Sequence, residues 1–165
     1  MIIVIFGVAG AGKTTVGQML AHDLGWKFYD ADDFHPHANI EKMGNGQPLT
    51  DEDRQPWLAR LRGIIEQSFV ADENAVLACS ALKRKYRDQL RASSDVRFVF
   101  LRGNRSQIAE QLEKRRGHYF NPSLLDSQFA DLEEPTRDER VATVDLGRSP
   151  SGLVAEIEKK LQLSE

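Results

Sequence analysis

The sequence predicts an α/β fold, a three-layer domain built around a mainly parallel sheet of five strands. Five short runs of β-branched and aromatic residues alternate with stretches of helical periodicity, and this alternation is typical of parallel sheets covered by helices. The first run, residues 2–6, is apolar at every position, as expected of a strand that is buried on both faces. A glycine-rich segment that ends in Lys13 and Thr14 connects this run to the first helical stretch.

The composition is that of an ordinary folded domain. The chain has 165 residues, of which 41% are hydrophobic and 28% charged, so we expect one domain, 1–165, with its own core. A net charge of −3 gives no sign of nucleic-acid or membrane binding. The single cysteine, Cys79, excludes an internal disulfide. Because we find neither a signal peptide nor the ~20 apolar residues of a membrane span, we expect a cytoplasmic protein.

The segment after the first strand matches the phosphate-loop pattern G-x-x-x-x-G-K-S/T at every fixed position. Glycines allow a tight turn in which successive N–H groups point at phosphate oxygens, and the helix that follows adds its positive dipole end. Lys13 supplies a charge for the β- and γ-phosphates, and the Thr14 hydroxyl suits a Mg²⁺ ligand. The alternative is a plain glycine-rich turn. The predicted nucleotide-binding residues are Gly7, Val8, Ala9, Gly10, Ala11, Gly12, Lys13, Thr14 and Thr15.

Apolar spacing predicts the next elements. The first helix ends at Gly25 and turns one apolar side inward, formed by Val16, Met19, Leu20 and Leu24. A second strand is expected at 27–30 and a short helix at 39–43. Thr50 and Asp53 have the spacing of a capping box and begin a longer helix, with Pro56 in its first turns. Its apolar stripe fits a core better than a cofactor site and consists of Trp57, Leu61, Ile64, Ile65 and Phe69.

The second half of the chain continues the alternation. Further strands are expected at 75–79, 96–101 and 141–145. Further helices are expected at 82–91, from about 106, at 124–132 and from Pro150 onward. Cys79 is expected to be a small buried residue of the third strand.

Two acids follow the second strand. Asp30 and Asp32 are two residues apart, so in an extended chain both carboxylates face the same side, at the strand ends where ligands of such folds bind. One could hold Mg²⁺ through water, and the other could take a proton from an attacking hydroxyl. The alternative is a solvated acidic turn that caps the next helix. Because the third strand ends in Cys79 and Ser80 rather than in an acid, we assign the metal role to Asp30.

Basic residues concentrate in the helical stretch at 82–91. They could attract an anionic substrate, or they could form a solvated helix face. We favour Lys83 for substrate binding, because it follows the third strand directly. The other basic residues of the stretch are Arg84, Lys85, Arg87 and Arg91.

A second basic group ends the helix that starts near 106. Cations at a helix C-terminus are ordinary partners of its dipole. Arg115 and Arg116 stand before Gly117, however, and this also fits a mobile lid that brings charge to the γ-phosphate and excludes water. The helices inserted between strands therefore predict a substrate-binding region at about 35–72 and a lid at about 115–135.

Longer segments add to these motifs. They read Asp-Ala-Asp-Asp-Phe-His-Pro at 30–36, Asn-Ile-Glu-Lys-Met at 39–43, Cys-Ser-Ala-Leu-Lys at 79–83 and Arg-Gly-His at 116–118. Together they resemble the bacterial-type gluconate kinases, small phosphate-loop enzymes related to shikimate and nucleoside monophosphate kinases. The likeness spans nearly the whole chain. The His-Pro segment and those at 39–43 and 79–83 distinguish this family from its relatives better than the phosphate loop does.

The resemblance implies a P-loop NTPase fold like that of the nucleoside monophosphate kinases. It implies that ATP, with Mg²⁺, phosphorylates D-gluconate to 6-phospho-D-gluconate. It also implies a cytoplasmic enzyme of the pentose phosphate or Entner–Doudoroff routes, usually a homodimer, and no nucleic-acid or membrane partner is expected.

The resemblance also implies roles for single residues. Asp32 orients the 6-hydroxyl and accepts its proton, while Thr14 and, through water, Asp30 hold Mg²⁺. Lys13, with Arg116 or Arg115, neutralises charge on the transferring group. The expected substrate-binding residues are Asp32, His35, Arg54, Ser80, Lys83 and His118.

Three other interpretations stay open. A shikimate-type or other small-metabolite kinase would share the loop, the acids and the lid, but not the segments at 39–43 and 79–83. A GTPase switch would carry the N-K-x-D and D-x-x-G motifs, and neither occurs. A non-catalytic nucleotide-binding module would need none of the acids, yet Asp30 and Asp32 are present.

Overall fold

The computed structural model describes residues 1–114 and 122–163. Over these ranges the chain forms five strands and seven α-helices. The strands are β1 (Ile2–Phe6), β2 (Lys27–Asp30), β3 (Ala75–Ala78), β4 (Val96–Arg102) and β5 (Ala142–Asp145). The helices are α1 (Lys13–Leu24), α2 (His37–Gly44), α3 (Asp51–Val70), α4 (Arg84–Leu90), α5 (Arg105–Glu113), α6 (Pro122–Asp131) and α7 (Pro150–Lys160).

The five strands form one sheet in the order β2-β3-β1-β4-β5, and each neighbouring pair is parallel. The predicted α/β fold with a five-stranded parallel sheet is therefore confirmed. β1 is central, with Ile3 opposite Val76 of β3 on one side and Arg97 of β4 on the other. All carboxyl ends lie at the same edge, so the loops after β1, β2 and β3 meet there.

Apolar residues pack against both faces of the sheet. Ile3 and Ile5 of β1 face a layer that includes Leu20 of α1 and Ile157 of α7. The intervening residues of the strand face a second layer on the other side, with Trp57 and Leu61 of α3 and Leu90 of α4. This two-sided burial explains why the strand is apolar at consecutive positions rather than at alternate ones.

Local signals in the sequence set most of the helix ends. Gly25 ends α1 in the left-handed region, with φ of 69°. Thr50 and Asp53 form the predicted capping box, and Pro56 lies inside α3. Boundaries shift by a few residues elsewhere: β3 ends at Ala78, and Lys83 caps α4 rather than belonging to it. In the described ranges, none of the helices has the length and apolarity needed to cross a membrane.

The basic residues of the stretch at 82–91 divide between the core and the surface, and most of them pair with acids of other elements. The Arg87 side chain is fully buried and pairs with Glu139, with Nε and Oε1 2.8 Å apart. Lys83 and Lys85 pair with Asp51. Arg84 pairs with Asp138, and the guanidinium of Arg91 lies 4.4 Å from the ring centre of Phe98.

Candidate active site

A cleft of about 250 Å³ opens at the carboxyl edge of the sheet. It brings together the loop after β1, the turn after β2, the end of β3 and parts of α3 and α6. Its polar and glycine lining consists of Gly10, Gly12, Lys13, Thr14, Asp30, Asp32, His35, Gln47, Arg54, Ser80, Ser127 and Gln128. The phosphate loop, the acidic pair and the predicted substrate region therefore share one site.

The phosphate loop needs glycine at two positions where the backbone takes positive φ. Gly10 and Gly12 have φ of 85° and 93°. A Cβ on Gly10 would stand 2.5 Å from Cγ of Leu112 in α5, so a side chain there would force the Leu112 side chain to shift. Gly12 precedes α1 without a side-chain cap, which leaves the first N–H groups of the helix available to an anion.

Lys13 folds over the loop from the first position of α1. Its Nζ donates to the carbonyl oxygens of Gly7 and Val8, each at 3.0 Å. These contacts hold the ammonium at the rim of the cleft, where bound phosphates would need it.

Thr14 and Asp30 are in direct contact across two elements. The Thr14 hydroxyl donates to Oδ2 of Asp30 at 3.1 Å, and Oδ1 of Asp30 accepts the backbone N–H of Asp32 at 3.0 Å. The second bond caps a 3₁₀ turn at Ala31–Phe34, so the chain is not extended beyond Asp30. The prediction of an extended chain over Asp30 and Asp32 is therefore wrong, although both residues line the cleft.

The contact between Thr14 and Asp30 fits a hydrated Mg²⁺. Hydroxyl and carboxylate oxygens are the ligands that this hard cation prefers, and Mg²⁺ in kinases takes most of its ligands from water and substrate phosphates. Within residues 1–114 and 122–163, no group of three or more His, Cys, Asp or Glu residues could hold a metal by itself. The chain thus offers a partial donor set that phosphate would complete.

Cys79 lines the cleft but has the chemistry of a core residue. It is 1% exposed, and burial raises the pKa of its thiol to about 12. The thiol therefore stays protonated near neutral pH, and we assign it no nucleophilic role.

Arg54 and His35 form the buried polar end of the cleft. Each is 8% exposed. Arg54 donates to the Tyr86 hydroxyl at 2.8 Å and to Oδ2 of Asp131 at 3.2 Å. The His35 ring stacks on Trp57, with ring centres 4.2 Å apart, and burial together with the charge of Arg54 lowers its pKa to about 4. Trp57, predicted as a core residue, therefore also lines the cleft.

The remaining predicted residues are distributed as follows. Ser80 lines the cleft, whereas Lys83 and Thr15 are not among the described lining residues. Thr15 is exposed on α1, and Lys83 donates to Oδ1 of Asp51 at 3.0 Å. The predicted lid and substrate residues Arg115, Arg116 and His118 lie outside the described residues.

Helix α6 contributes two contacts that the sequence did not assign. Oε1 of Gln128 accepts the backbone N–H of Ala9 in the phosphate loop at 3.0 Å. Asp131, three residues further along, holds Arg54. Gln128 falls within the region predicted as a lid, about 115–135, but no sequence pattern assigns it a contact. α6 thus touches the phosphate end and the arginine end of the cleft.

Comparison with known proteins gives one consistent family. The family model described as shikimate kinase matches residues 9–158. The gluconokinase of Gluconobacter oxydans (strain 621H) is 44% identical over 164 residues, which cover 99% of this chain and 92% of that protein. The thermoresistant gluconokinase of Escherichia coli (strain K12) is 41% identical and covers 93% of this chain and 89% of that protein.

The solved structures agree with the sequence relatives. The crystal structure of a gluconokinase from Sinorhizobium meliloti 1021 superposes with a TM-score of 0.87 and 42% identity, covering 98% of this chain and 91% of that one. The likeness therefore extends over the sheet, the phosphate loop and the helices around the cleft.

Proposed function

Because the chain belongs to the shikimate kinase family and, within it, to the gluconokinases, we propose that it phosphorylates D-gluconate. It is an ATP-dependent kinase. The reaction moves the γ-phosphoryl group of ATP to the 6-hydroxyl of gluconate and yields 6-phospho-D-gluconate and ADP.

One observation carries this proposal: a phosphate loop and a buried arginine, Arg54, line the same cleft of about 250 Å³. Gluconate is a small anion whose carboxylate and reacting hydroxyl stand at opposite ends of the molecule. A planar guanidinium suits a carboxylate, because it can donate two parallel hydrogen bonds. A carboxylate bound at Arg54 directs the hydroxyl end toward Asp32 and the phosphate loop.

The phosphate loop and α1 bind the nucleotide. Backbone N–H groups of the phosphate loop and of the first turn of α1, with the ammonium of Lys13, hold the phosphates. Thr14 would hold Mg²⁺ directly, and Asp30 would hold it through water. The ion, when bound, neutralises charge on the phosphate oxygens.

Asp32 acts on the reacting hydroxyl. Its carboxylate orients the gluconate 6-hydroxyl and accepts the proton as the oxygen attacks in line. Lys13 offsets the charge of the transferring group, together with Arg116 or Arg115 from the lid. Catalysis of this kind depends on position and charge rather than on a covalent intermediate.

The acceptor is held at the other end of the cleft. Arg54 binds the carboxylate, while His35 and Ser80 bind hydroxyls. Lys83 reaches the acceptor only by leaving Asp51, which its amino group contacts at 3.0 Å.

The chain functions as one domain with two specialised regions. Residues of about 35–72 bind the acceptor, and about 115–135 form a lid that contains Arg115, Arg116 and His118. The proposed enzyme works in the cytoplasm as a homodimer and feeds the pentose phosphate or Entner–Doudoroff routes, without a nucleic-acid or membrane partner.

A coupled ADP-release assay tests the function. Purified enzyme with Mg-ATP is offered D-gluconate, shikimate and nucleoside monophosphates in parallel, and we expect turnover on gluconate alone. Turnover on shikimate without turnover on gluconate would overturn the assignment of gluconate as the substrate. ATP binding without turnover on any acceptor would favour a nucleotide-binding module.

A further inference from the structure

His35 and Asn39 sit together in the buried part of the cleft wall. His35 is 8% exposed and Asn39 4%. The imidazole lies nearly parallel to the Trp57 indole, with 12° between the ring planes. Trp57 is itself anchored, because its Nε1 donates to the Ala31 carbonyl at 2.7 Å. Stacking on the anchored indole therefore fixes the plane of the imidazole ring.

The amide of Asn39 has one possible orientation. Its Nδ2 atom lies 2.8 Å from the carbonyl oxygen of Asp53. A carbonyl oxygen only accepts hydrogen bonds, so the atom facing it must be the NH₂ group rather than the amide oxygen. This contact fixes the amide independently of the histidine.

The same nitrogen determines where the proton of His35 sits. Nδ2 of Asn39 is 3.2 Å from Nδ1 of His35. Since Nδ2 can only donate, Nδ1 must accept and cannot carry a proton. The ring is then neutral and carries its single proton on Nε2.

Nε2 is the ring nitrogen left to face the cleft. His35 belongs to the cleft lining, and its other ring nitrogen, Nδ1, is turned toward Asn39. The charged groups that share this cavity are Arg54 from α3, Lys13 from α1 and the carboxylates of Asp30 and Asp32. Burial and the charge of Arg54 lower the pKa of His35, which agrees with a neutral ring.

We propose that Asn39 is a positioning residue that fixes His35 as a neutral Nε2–H donor to a hydroxyl oxygen of the acceptor substrate. The proposal rests on the proposed function for the identity of the acceptor. A donor fixed in this way favours acceptors with an oxygen at that position, because an analogue without it leaves a buried N–H unpaired. Charge selection by Arg54 and hydroxyl selection by His35 are then separate parts of specificity.

The tautomer can be observed without any substrate. Nitrogen-15 NMR of the imidazoles in the full chain, with His35→Gln to assign the resonance, should show an unprotonated Nδ1 and a protonated Nε2 near neutral pH. A proton on Nδ1, or a doubly protonated ring at neutral pH, would overturn the proposal. This measurement stands whether or not gluconate proves to be the acceptor.

Asn39→Asp tests the positioning role. A carboxylate beside Nδ1 favours a proton there, so the neutral His35 ring should shift to the Nδ1–H tautomer, whose Nε2 accepts a hydrogen bond instead of donating one. We expect the KM for gluconate to rise about tenfold and to vary with pH, while kcat changes little. Asn45→Asp is the matched control, because Asn45 is exposed at the end of α2 and its replacement adds the same negative charge. An equal effect of both variants, or an unchanged KM in Asn39→Asp, would contradict the proposal.

A second pair of variants does not depend on how Asn39→Asp folds. His35→Gln puts a neutral amide N–H near the place of Nε2, whereas His35→Asn puts it near Nδ1. We expect His35→Gln to keep a KM for gluconate within a few-fold of the wild type and His35→Asn to raise it about tenfold. Equal KM values in the two variants would overturn the proposal.

Discussion

Arg54 donates a hydrogen bond from Nη1 to the hydroxyl oxygen of Tyr86 at 2.8 Å, although 32 residues separate the two in the chain. The same hydroxyl donates a hydrogen bond to Oδ1 of Asp51. On the other side of the guanidinium, Nη2 meets Asp131. Helices α3, α4 and α6 therefore converge on one arginine, whose orientation is set before any substrate arrives. This is the form of preorganisation that lowers the cost of binding.

Tyr86→Phe is expected to weaken gluconate binding while leaving the chemical step intact. The phenyl ring keeps the packing of a residue that is 1% exposed, but the acceptor for Arg54 is lost. A buried donor without a partner costs about 1–3 kcal/mol, and misorientation of Arg54 should raise the KM for gluconate roughly tenfold. Steady-state kinetics with varied gluconate and saturating ATP measures the effect.

Tyr29→Phe is the matched control, because Tyr29 is half-buried in β2 and is not among the described cleft residues. The KM for ATP should be unaffected in both variants. A Tyr86→Phe enzyme whose kcat falls while its KM for gluconate stays constant would contradict the role assigned to Arg54.

Asp32→Asn is expected to abolish most turnover. Loss of the proton acceptor should lower kcat by about 10²- to 10⁴-fold. The affinity for ATP, measured by calorimetry, should stay nearly unchanged, because Asp32 is assigned to the acceptor hydroxyl. Near-wild-type kcat would remove Asp32 from the role of base.

Asp33→Asn makes the same change one residue further along the 3₁₀ turn. Asp33 is exposed and is not among the described residues of the cleft lining, so its variant should turn over normally. The pair of variants therefore decides which carboxylate of the Asp-rich turn carries the chemistry.

Gln128 accepts a hydrogen bond from a backbone N–H of the phosphate loop, which is a donor that a nucleotide phosphate would also bind. Its Oε1 accepts the backbone N–H of Ala9. Bound phosphate has to compete with this bond, whose net contribution is about 0.5–1.5 kcal/mol. Gln128→Ala should thus tighten the binding of a non-hydrolysable ATP analogue by a few-fold up to about tenfold.

Calorimetric titration of the analogue without gluconate measures this difference. Gln18→Ala serves as the control, since Gln18 is exposed on α1. Weaker binding in Gln128→Ala would mean instead that the glutamine contacts the nucleotide directly.

The sheet and the phosphate loop could be predicted because their signals are local. Consecutive apolar residues such as Ile3 and Val4 reveal burial on both faces, and fixed glycines such as Gly12 reveal a backbone that other residues cannot adopt. Asp30 and Asp32 were assigned to the site through their place after a strand. A capped turn, rather than the predicted extended chain, brings both carboxylates to the cleft.

The polar contacts of helices could not be predicted in this way. Helical periodicity identifies buried faces from apolar residues, but it carries no signal for the partner of an arginine on such a face. Arg54 and Asp131 are 77 residues apart, and Arg87 and Glu139 are 52 apart. Only the folded chain shows that these residues meet.

Arg87 uses all five of its N–H donors inside the protein. Nε and Nη2 bind the two oxygens of Glu139, at 2.8 and 3.1 Å. Nη1 donates to the carbonyl oxygens of Ala81 and Leu82, and Nη2 also donates to that of Glu133. The arginine therefore ties the loop after β3, which carries Ser80 of the cleft, to the segment after α6.

Glu139→Gln should destabilise the fold by about 3–5 kcal/mol, because the positive charge of Arg87 stays buried without its counter-ion. Burial alone would raise the pKa of Glu139. Hydrogen bonds from Arg87 and from the Thr136 N–H, together with nearby positive charge, outweigh burial, so the pKa of Glu139 is lowered. The ionised Glu139 therefore stabilises the fold fully above its pKa in the unfolded chain, about 4.3. This stabilisation is lost as the pH falls through the lower pKa of Glu139 in the folded protein.

The difference in unfolding free energy between wild type and Glu139→Gln should consequently shrink on acidification. Urea denaturation at neutral pH and at several acidic pH values measures it. Asp138→Asn is the control, since Asp138 pairs with Arg84 at the surface, where ion pairs contribute little, and its stability should hardly change. A difference that is constant over the acidic range would mean that Glu139 supports the fold by packing and neutral hydrogen bonds rather than by its charge.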